Sequence, residues 1–365
     1  MSDRRRIVIT GAGWVTPMGH DLESVWQRLL AGETDVAAID RFDASTFPTR
    51  FASQVRGYDW TDFVEHASTH GRPGMHTQFA LGAARQAWDA SGLGDANLDR
   101  HRVGIYLGAG EGVLDFTSYQ RTSLKAWNAD AGRVDTVQWG DAASRHLDGI
   151  AEIEQEPNMP ASHISREFGI RGPVYNCLTA CAASTQAIGE AASILHRGDA
   201  DVMVSGGTHT MLHVLGITGF NRLTAMSTRN DSPQTASRPF SRSRDGFVMG
   251  EGSGIIVMET LEHAEARGAN ILAELRGFGS TADAYRITDM HPEGRGPGDA
   301  ILQALANAGI DPSQRLDDGR PPVHYISAHG TSTSENDSIE TRAVKRVFGD
   351  LAGEIPMTSI KSMMG

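Results

Sequence analysis

The two cysteines of the sequence, Cys177 and Cys181, lie four positions apart in the stretch NCLTACAASTQAIGEA. This spacing is poor for a zinc site, since no Cys/His pair elsewhere completes a set of four ligands. Two cysteines cannot build a disulfide framework, so we expect a cytoplasmic protein with reduced thiols. A packed structural cysteine and a nucleophile remain as the two interpretations, and free cysteine usually packs as a small hydrophobe.

The surroundings of Cys181 favour a nucleophile at that position. The pattern predicts a short strand that ends near Cys177 and a helix that begins directly after Cys181. A thiol at a helix N-terminus meets the positive end of the helix dipole and unpaired backbone N–H groups, which favour the thiolate. The sharp turn follows the logic of the nucleophile elbow of serine hydrolases, with the Cys181 N–H aimed at an oxyanion. Cys177 is predicted to pack in the core.

Two further reactive side chains are predicted to lie at strand ends. His329 follows the apolar stretch PVHYIS, and Lys361 follows the strand-like EIPMTS. Sites in α/β proteins gather at the carboxyl ends of parallel strands, which is also the position expected for Cys181. We therefore expect a cysteine, a histidine and a lysine at the strand ends of one sheet.

Strand and helix patterns alternate along the chain, which predicts the α/β class. The strand before the cysteines, the helix AASTQAIGEAASILHRG and the buried strand DVMVSGGTH form a parallel strand–helix–strand unit. The pattern near residue 270 restarts the one near residue 6, which indicates two related halves. Between residues 111 and 160 the periodicity loosens, and we expect a surface excursion packed by its own aromatic residues, with one or two helices in the stretch VDTVQWGDAASRHLDGIAEI.

Other features limit the possible functions. The stretch RRIVITGAGWVTPMG predicts a strand that runs into a glycine-rich turn, and Gly11 and Gly13 begin a dinucleotide fingerprint that lacks its third glycine. The apolar runs are too short to cross a bilayer. The net charge of −12 argues against a nucleic-acid surface. The sequence therefore predicts no dinucleotide, metal, nucleic acid or membrane.

Three motifs around the reactive residues resemble the signatures of the β-ketoacyl-acyl carrier protein synthases. They are TACAAS around Cys181, AHGTST at His329 and IKSMMG at Lys361. The stretches VITGAGWVTPMG, RGPVYN, GDADVMVSGG and RDGFVMGEGSG are also similar to this family, so the resemblance covers nearly the whole chain except residues 111–160. It is closest to the elongating, type II (KAS II-like) condensing enzymes.

This resemblance implies a thiolase-like fold, in which two related α/β halves pack in α-β-α-β-α layers. The halves correspond to residues 1–262, with the nucleophile, and 270–365, with the histidine and lysine motifs. It also implies a homodimer that needs no cofactor of its own, because an acyl carrier protein brings phosphopantetheine. Cys181 would take an acyl group as a thioester. The carbanion of decarboxylated malonyl-carrier protein would attack it to give a 3-oxoacyl product, in fatty-acid or polyketide synthesis.

The same resemblance implies roles for the residues around the nucleophile. His329 would donate a hydrogen bond to the enolate oxygen that forms on decarboxylation. Thr331 and Thr333 would bind the phosphopantetheine arm. Lys361 and Glu340 match the family's supporting pair, which orders charge and hydrogen bonds around the catalytic histidines.

The second histidine of the family follows the glycine equivalent to Gly365, the last residue of this sequence. The family's closing segment is likewise absent. We therefore expect the sequence to be a C-terminally truncated part with an incomplete second half.

Glu111 departs from the family pattern, in which elongating members carry an apolar residue that lines the acyl pocket. A buried carboxylate costs several kcal/mol unless it is paired or protonated. The residue predicts a pocket for polar, short or unsaturated acyl chains. The alternative is that Glu111 turns to solvent.

Docking of an acidic carrier protein on an acidic synthase requires a local basic patch. The family's basic docking stretch is thin in this sequence. Arg72 and Arg222 are the candidates, together with Arg229. The excursion at 111–160 is expected to border the substrate entrance or the dimer face.

Three other functions share parts of this pattern. The chain-length-controlling partner subunit of a heterodimeric synthase lacks the nucleophile, so Cys181 argues against it. A thiolase has the fold and a cysteine at the equivalent turn, but it uses coenzyme A esters and lacks the HGTST motif. A variant that only decarboxylates normally replaces the cysteine.

Overall fold

The structure is a computed structural model that describes residues 5–287 and 289–365, so residues 1–4 of the predicted first half lie outside the described residues. Its strands are β1 (Ile7–Val15), β2 (Val36–Ala38), β3 (Phe51–Ser53), β4 (Val103–Ala109), β5 (Trp127–Asn128), β6 (Arg133–Val134), β7 (Val174–Cys177), β8 (Val202–His209), β9 (Gly252–Thr260), β10 (Ala273–Leu275), β11 (Ile326–Ser327) and β12 (Met357–Thr358).

Its α-helices are α1 (Leu22–Leu30), α2 (Met75–Ser91), α3 (Phe116–Lys125), α4 (Thr136–His146), α5 (Gly149–Glu154), α6 (Met159–Phe168), α7 (Ala183–Arg197), α8 (Val214–Arg222), α9 (Leu261–Ala266), α10 (Arg295–Ala308), α11 (Ser334–Phe348) and α12 (Lys361–Met364). Among these described helices, none is both long enough and apolar enough to span a membrane.

The central sheet has six strands in the order β10-β1-β9-β8-β4-β7. β4 runs parallel to both β7 and β8, whereas β9 is antiparallel to β8 and to β1. The predicted strand–helix–strand unit is confirmed as β7, α7 and β8, with β4 lying between the two strands. The sheet is therefore mixed. Cys177 is the last residue of β7 and lies at the carboxyl end of the parallel part.

The stretch predicted as a glycine-rich turn is part of strand β1. The strand continues through both glycines, with a register shift between Ile9 and Gly11. A Cβ on Gly11 would lie 2.0 Å from the carbonyl oxygen of Ala87, and one on Gly13 would lie 2.3 Å from that of Ala83. The close approach of α2 to β1 therefore requires glycine at both positions, and the prediction of a turn is wrong.

Helices cover both faces of the central sheet. On one face, α2 packs on β1 and β9 and α6 packs on β4, and Leu81 and Ile164 share a buried cluster with Ile105. On the other face, Leu195 of α7 packs in a cluster with Met203 of β8. Because helices cover both faces of the sheet, side chains on both faces of β8 are buried. This burial explains the nearly continuous apolar run of β8.

The chain after residue 270 contributes to two sheets. β10 pairs with β1 at the edge of the central sheet. β11 and β12 form a separate parallel pair, and α10 and α11 pack on it through a cluster that includes Leu305, Val344 and Phe348. These layers position the loops that follow β11 and β12.

The predicted excursion at residues 111–160 is a group of three helices, α3, α4 and α5, with the short strand pair β5 and β6. Two helices, α4 and α5, lie in the stretch for which one or two helices were expected. The aromatic rings of Tyr119 and Trp139 pack between α3 and α4, with centroids 6.2 Å apart. The expected packing of the excursion by its own aromatic residues is therefore present.

Candidate active site

Cys181 lies at the junction between β7 and α7. β7 ends at Cys177, a 3-10 turn spans Ala180–Ala182, and α7 begins at Ala183. Ala180 has a left-handed backbone, with φ 52°, which strains a residue that carries a Cβ. Cys181 is exposed, and the first N–H groups of a helical turn have no partner within it. The sharp strand-to-helix turn expected from the sequence is present.

Cys177 has a different environment. Its half-buried Sγ donates a hydrogen bond to the carbonyl oxygen of Ala183, 3.2 Å away. Burial raises the pKa of the Cys177 thiol, and a hydrogen bond with Thr179 offsets part of this effect. A thiol with a raised pKa is a poor nucleophile at neutral pH, so its surroundings suit a packing role.

His329 and Lys361 follow the two parallel strands β11 and β12. Because these strands pair in parallel, both side chains leave from the same carboxyl edge. Cys181 follows β7, which belongs to the central sheet. The expectation that all three residues lie at the ends of one sheet is therefore wrong: the cysteine comes from one sheet and the other two from the second.

The charges of these side chains act on one another. Burial lowers the pKa of His329, and the positive charge of Lys361 lowers it further. Burial also lowers the pKa of Lys361, and the negative charges of Glu340 and of the Cys181 thiolate act in the opposite direction. Lys361 therefore lies within electrostatic reach of His329, Glu340 and Cys181, and the imidazole of His329 is held in its neutral form.

Glu340 holds the backbone of the loop that carries His329. Its Oε1 accepts a hydrogen bond from the N–H of His329 at 2.6 Å, and its Oε2 accepts one from the N–H of Gly330 at 2.8 Å. The hydroxyl of Ser237 donates to the carbonyl oxygen of Lys361 at 2.6 Å. Glu340 thus acts on the imidazole through the loop backbone and through its charge.

Asp337, which the sequence reasoning missed, holds the same loop one helical turn earlier. Its Oδ1 accepts from the N–H of Ser332 at 3.2 Å, and its Oδ2 accepts from the N–H of Phe240 at 2.6 Å. Ser332 and Phe240 both have left-handed backbones, with φ 70° and 64°. Arg244 lies 3.6 Å from the carboxylate. One buried carboxylate therefore stabilises two strained loops.

A sequence signal for Asp337 was available. Asp337 and Glu340 are spaced i,i+3 in the first turns of α11, which places them on one face. Acidic residues at a helix N-terminus also favour hydrogen bonds with backbone N–H groups. The left-handed conformations of Ser332 and Phe240 had no such signal, because neither residue is a glycine.

Thr331 and Thr333 lie side by side in the loop after His329. Their hydroxyl oxygens are 3.0 Å apart and form a hydrogen bond. Thr333 is also the N-cap of α11, where its Oγ1 accepts from the N–H of Asn336 at 3.3 Å. Their assignment to pantetheine binding stays a prediction.

Glu111 lies just beyond the carboxyl end of β4. Its side chain is exposed, and its carbonyl oxygen accepts a hydrogen bond from Nε2 of His209 at 3.2 Å. A buried carboxylate is therefore not found in the single chain, and the alternative of a solvent-facing side chain agrees with this placement. The pocket role of Glu111 stays a prediction.

The three candidate docking arginines differ in their partners. Arg72 forms an ion pair with Asp148, and Arg229 pairs with Asp245 at 3.1 Å. Arg222, the last residue of α8, is exposed and has no ion pair within the described ranges. Arg222 therefore offers the least neutralised charge of the three.

Sequence comparison connects this arrangement with known proteins. Residues 4–264 match the β-ketoacyl synthase N-terminal domain, and residues 272–365 match the β-ketoacyl synthase C-terminal domain. The chain is 39% identical, over 363 residues, to 3-oxoacyl-[acyl-carrier-protein] synthase 2 of Coxiella burnetii (strain RSA 493 / Nine Mile phase I). It is 38% identical, over 370 residues, to the enzyme of the same name from Staphylococcus aureus (strain COL). Both alignments cover 100% of this chain and 82% of the relative.

Structural comparison agrees with the sequence matches. A similar solved structure is a type II polyketide synthase acyl carrier protein in complex with its ketosynthase, bound to the hexaketide. The superposition has a TM-score of 0.82 at 32% identity and covers 100% of this chain and 82% of that one. With its thiolase-like α/β fold and both family domains matched along its length, the chain belongs to the β-ketoacyl synthase family.

Proposed function

We propose that this protein catalyses the decarboxylative Claisen condensation of an enzyme-bound acyl thioester with malonyl-acyl carrier protein, which yields 3-oxoacyl-acyl carrier protein. The observation that carries the proposal is the placement of Cys181. Its exposed thiol follows the left-handed Ala180 at the start of a helical turn, within electrostatic reach of Lys361. Two relatives are named 3-oxoacyl-[acyl-carrier-protein] synthase 2, and that name describes the proposed reaction.

The first step is acyl transfer to Cys181. The thiolate attacks the carbonyl carbon of the acyl-carrier thioester, and the carrier leaves as its pantetheine thiol. The ammonium group of Lys361 lies within electrostatic reach of this sulfur. The backbone N–H of Cys181 would donate to the oxyanion of the tetrahedral intermediate, because the N–H of Ala182 in the same turn already donates to the carbonyl oxygen of Thr179.

The second step is condensation. Malonyl-carrier protein loses CO₂, and its α-carbon attacks the Cys181 thioester, which expels the thiolate and forms the new carbon–carbon bond. His329 is neutral because burial and Lys361 lower its pKa, so it can donate an N–H to the developing enolate oxygen. Thr331 and Thr333, beside it in the same loop, would hydrogen-bond the pantetheine arm.

Substrate choice and docking follow from two exposed side chains. Glu111 at the end of β4 would favour polar, short or unsaturated acyl chains over long saturated ones. Arg222 would attract the acidic carrier protein, with a smaller contribution from Arg72, whose charge Asp148 neutralises. The phosphopantetheine would arrive on the carrier, so the protein would need no cofactor of its own. Fatty-acid and polyketide synthesis both use this reaction.

A homodimer would pair the free edges of two copies of β7. This strand is the edge of the central sheet, its side chains Val174 and Tyr175 are exposed, and Leu178 directly after it is half exposed. Exposed apolar edge strands are templates for pairing with a second chain. We take residues 1–262 and 270–365 as the two halves of each copy, and the cytoplasm as its location.

The test is a condensation assay with acyl- and malonyl-carrier proteins, in which the products are identified by mass spectrometry. We expect 3-oxoacyl-carrier protein and CO₂ in equal amounts, with faster turnover for short or unsaturated chains. CO₂ without a condensed product would indicate a decarboxylase, and condensation of coenzyme A esters alone would indicate a thiolase; either result would overturn the proposal. A preference for long saturated chains, unchanged in Glu111→Leu, would remove the role of Glu111.

A further inference from the structure

Four buried side chains form a hydrogen-bonded row on the side of the central sheet covered by α2 and α6. In the row Glu167–His70–His163–Glu154, His70 Nε2 lies 2.9 Å from Glu167 and His163 Nε2 lies 2.9 Å from Glu154. Between them, the two Nδ1 atoms are 2.8 Å apart. None of these side chains is more than 9% exposed. The proposed reaction uses none of them.

The geometry of the row fixes how many protons it holds. Each hydrogen bond needs one proton, carried by one of its two atoms. The three contacts therefore hold three protons, whereas two neutral imidazole rings supply two and two ionised carboxylates supply none. The row therefore contains one proton more than two neutral rings and two ionised carboxylates supply, whichever of its atoms carries that proton. Without it, two lone pairs face each other in one of the contacts, and that contact breaks.

Neighbouring groups balance the charge of the protonated row. Two carboxylates and one additional proton leave a single negative charge, and Arg85 supplies a positive charge through its ion pair with Glu167. The backbone N–H of Glu65 donates to Glu167 at 2.9 Å, and that of Gly74 donates to Glu154 at 3.0 Å. The additional proton therefore makes the buried group electrically neutral together with Arg85, which limits the cost of burial.

The remaining titratable groups nearby add little charge. Burial lowers the pKa of His76 to about 4, so this ring is neutral at physiological pH. Asp89 faces Arg85 from the solvent side at 3.6 Å. Arg72 and Asp148 pair with each other at the surface. None of these groups replaces the proton shared within the row.

The row connects the excursion at 111–160 to the body of the protein. Glu154 ends α5 of the excursion, and His163 and Glu167 lie on α6. His70 belongs to the loop before α2, whose last residue, Gly74, also bonds to Glu154. Next to Glu154, the carbonyl oxygen of Gln155 accepts from the N–H of Gly112 at 2.7 Å. Both ends of the excursion therefore meet at the row.

We propose that Glu154, His163, His70 and Glu167 form a proton-dependent clamp, in which one shared proton fastens the excursion at 111–160 to the body of the protein. Loss of this proton at alkaline pH opens the row and releases the excursion. Buried His–carboxylate groups of this kind are a recognised physical basis for pH-dependent structural change.

Hydrogen-exchange mass spectrometry of the intact protein tests the clamp directly. Between about pH 6 and about pH 9, and after correction for the intrinsic pH dependence of exchange, amides at 111–160 should exchange about tenfold faster at the higher pH. Amides of β4 and β8 in the same molecule serve as the internal reference and should keep their corrected rates. Equal corrected rates at 111–160 at both pH values would overturn the proposal.

Two variants separate the shared proton from simple loss of packing. In His163→Gln the amide NH₂ can donate one hydrogen to Glu154 and the other to Nδ1 of His70, and in His70→Asn the amide NH₂ can donate to Glu167 and to Nδ1 of His163, so that the three contacts are filled with the remaining ring neutral. In both, corrected exchange at 111–160 should become the same at the two pH values. His101→Gln, an exposed histidine, is the matched control and should retain the wild-type difference. A pH difference that persists in His70→Asn would contradict the clamp.

A spectroscopic measurement needs no variant to fold. In protein labelled with ¹⁵N histidine, two of the 14 imidazoles should show a common proton between their Nδ1 atoms at the lower pH. This signal should disappear at the pH at which exchange accelerates. Absence of this common proton at the lower pH would overturn the proton count.

Discussion

The backbone N–H of His329 donates a hydrogen bond to Glu340, with 2.6 Å between the nitrogen and Oε1. The other oxygen of the same carboxylate accepts from Gly330. Glu340→Gln replaces one of these acceptors by an NH₂ group, which leaves one N–H facing a donor. We expect a loss of about 1–3 kcal/mol in the free energy of unfolding, measured by urea denaturation. Glu335→Gln, an exposed change in the same helix, should be neutral; equal stability of both variants would contradict the assigned role.

Asp337 is expected to matter at least as much, because it holds Ser332 and Phe240 in left-handed conformations. Asp337→Asn removes one acceptor and leaves Arg244 without its charge partner. We expect a loss of about 2 kcal/mol or more in the free energy of unfolding. Asp350→Asn, an exposed carboxylate after the same helix, is the control. A stability change no larger than that of the control would show that the two loops hold their conformations without the carboxylate.

The pKa of His329 should respond to the charge of Lys361. Burial is the main reason why this pKa is lowered, and the positive charge of Lys361 adds to it. Lys361→Met removes the repulsion, so the His329 pKa should rise towards the ordinary histidine value of about 6.5. Titration of the imidazole by NMR measures the shift, and Lys345→Met, an exposed lysine of α11, should leave it unchanged. A pKa that stays constant in Lys361→Met would contradict the electrostatic connection.

The same shift predicts how stability depends on pH. Since the pKa of His329 is lowered in the folded state, the unfolded chain binds the proton more readily. The contribution of His329 to stability is therefore complete above about pH 6.5 and is lost as the pH falls towards the lowered value. The difference in the free energy of unfolding between wild type and His329→Gln should be larger above this pH range than below it. A difference that is the same at all pH values would contradict the lowered pKa of His329 in the folded state.

Carrier-protein docking should depend on Arg222 more than on Arg72. Arg222→Glu reverses an exposed charge that has no ion pair among the described residues, whereas Arg72 already pairs with Asp148. We expect KM for the carrier protein to rise about fivefold or more in Arg222→Glu, most strongly at low salt, with kcat preserved. A larger effect of Arg72→Glu would reverse this ranking, and no effect of either would place docking elsewhere.

The sequence allowed correct prediction of the elements whose periodicity is local. Helix α7 and strands β7 and β8 each carry their own pattern, and Cys181, His329 and Lys361 each lie in a short motif. The glycines of β1 were misread as a turn, because the atoms that exclude a side chain at Gly11 belong to α2. That contact is tertiary, and nothing in the strand itself indicates it.

The supports of the site were harder to predict than its reactive groups. The conformations of Ser332 and Phe240 depend on Asp337, which joins two loops that are distant in the sequence. The row of His70 and His163 likewise depends on the packing of α6 beside the loop before α2. Such contacts depend on how layers pack together, so periodicity and motif spacing carry no information about them.

The central claim is that Cys181, and not Cys177, is the acyl acceptor. Incubation with acyl-carrier protein, followed by intact-mass and peptide mass spectrometry, measures it directly. The account predicts one thioester per chain on Cys181 in the wild type and in Cys177→Ala, and none in Cys181→Ala. An acyl group on Cys177, or a full-yield adduct that persists in Cys181→Ala, would contradict it.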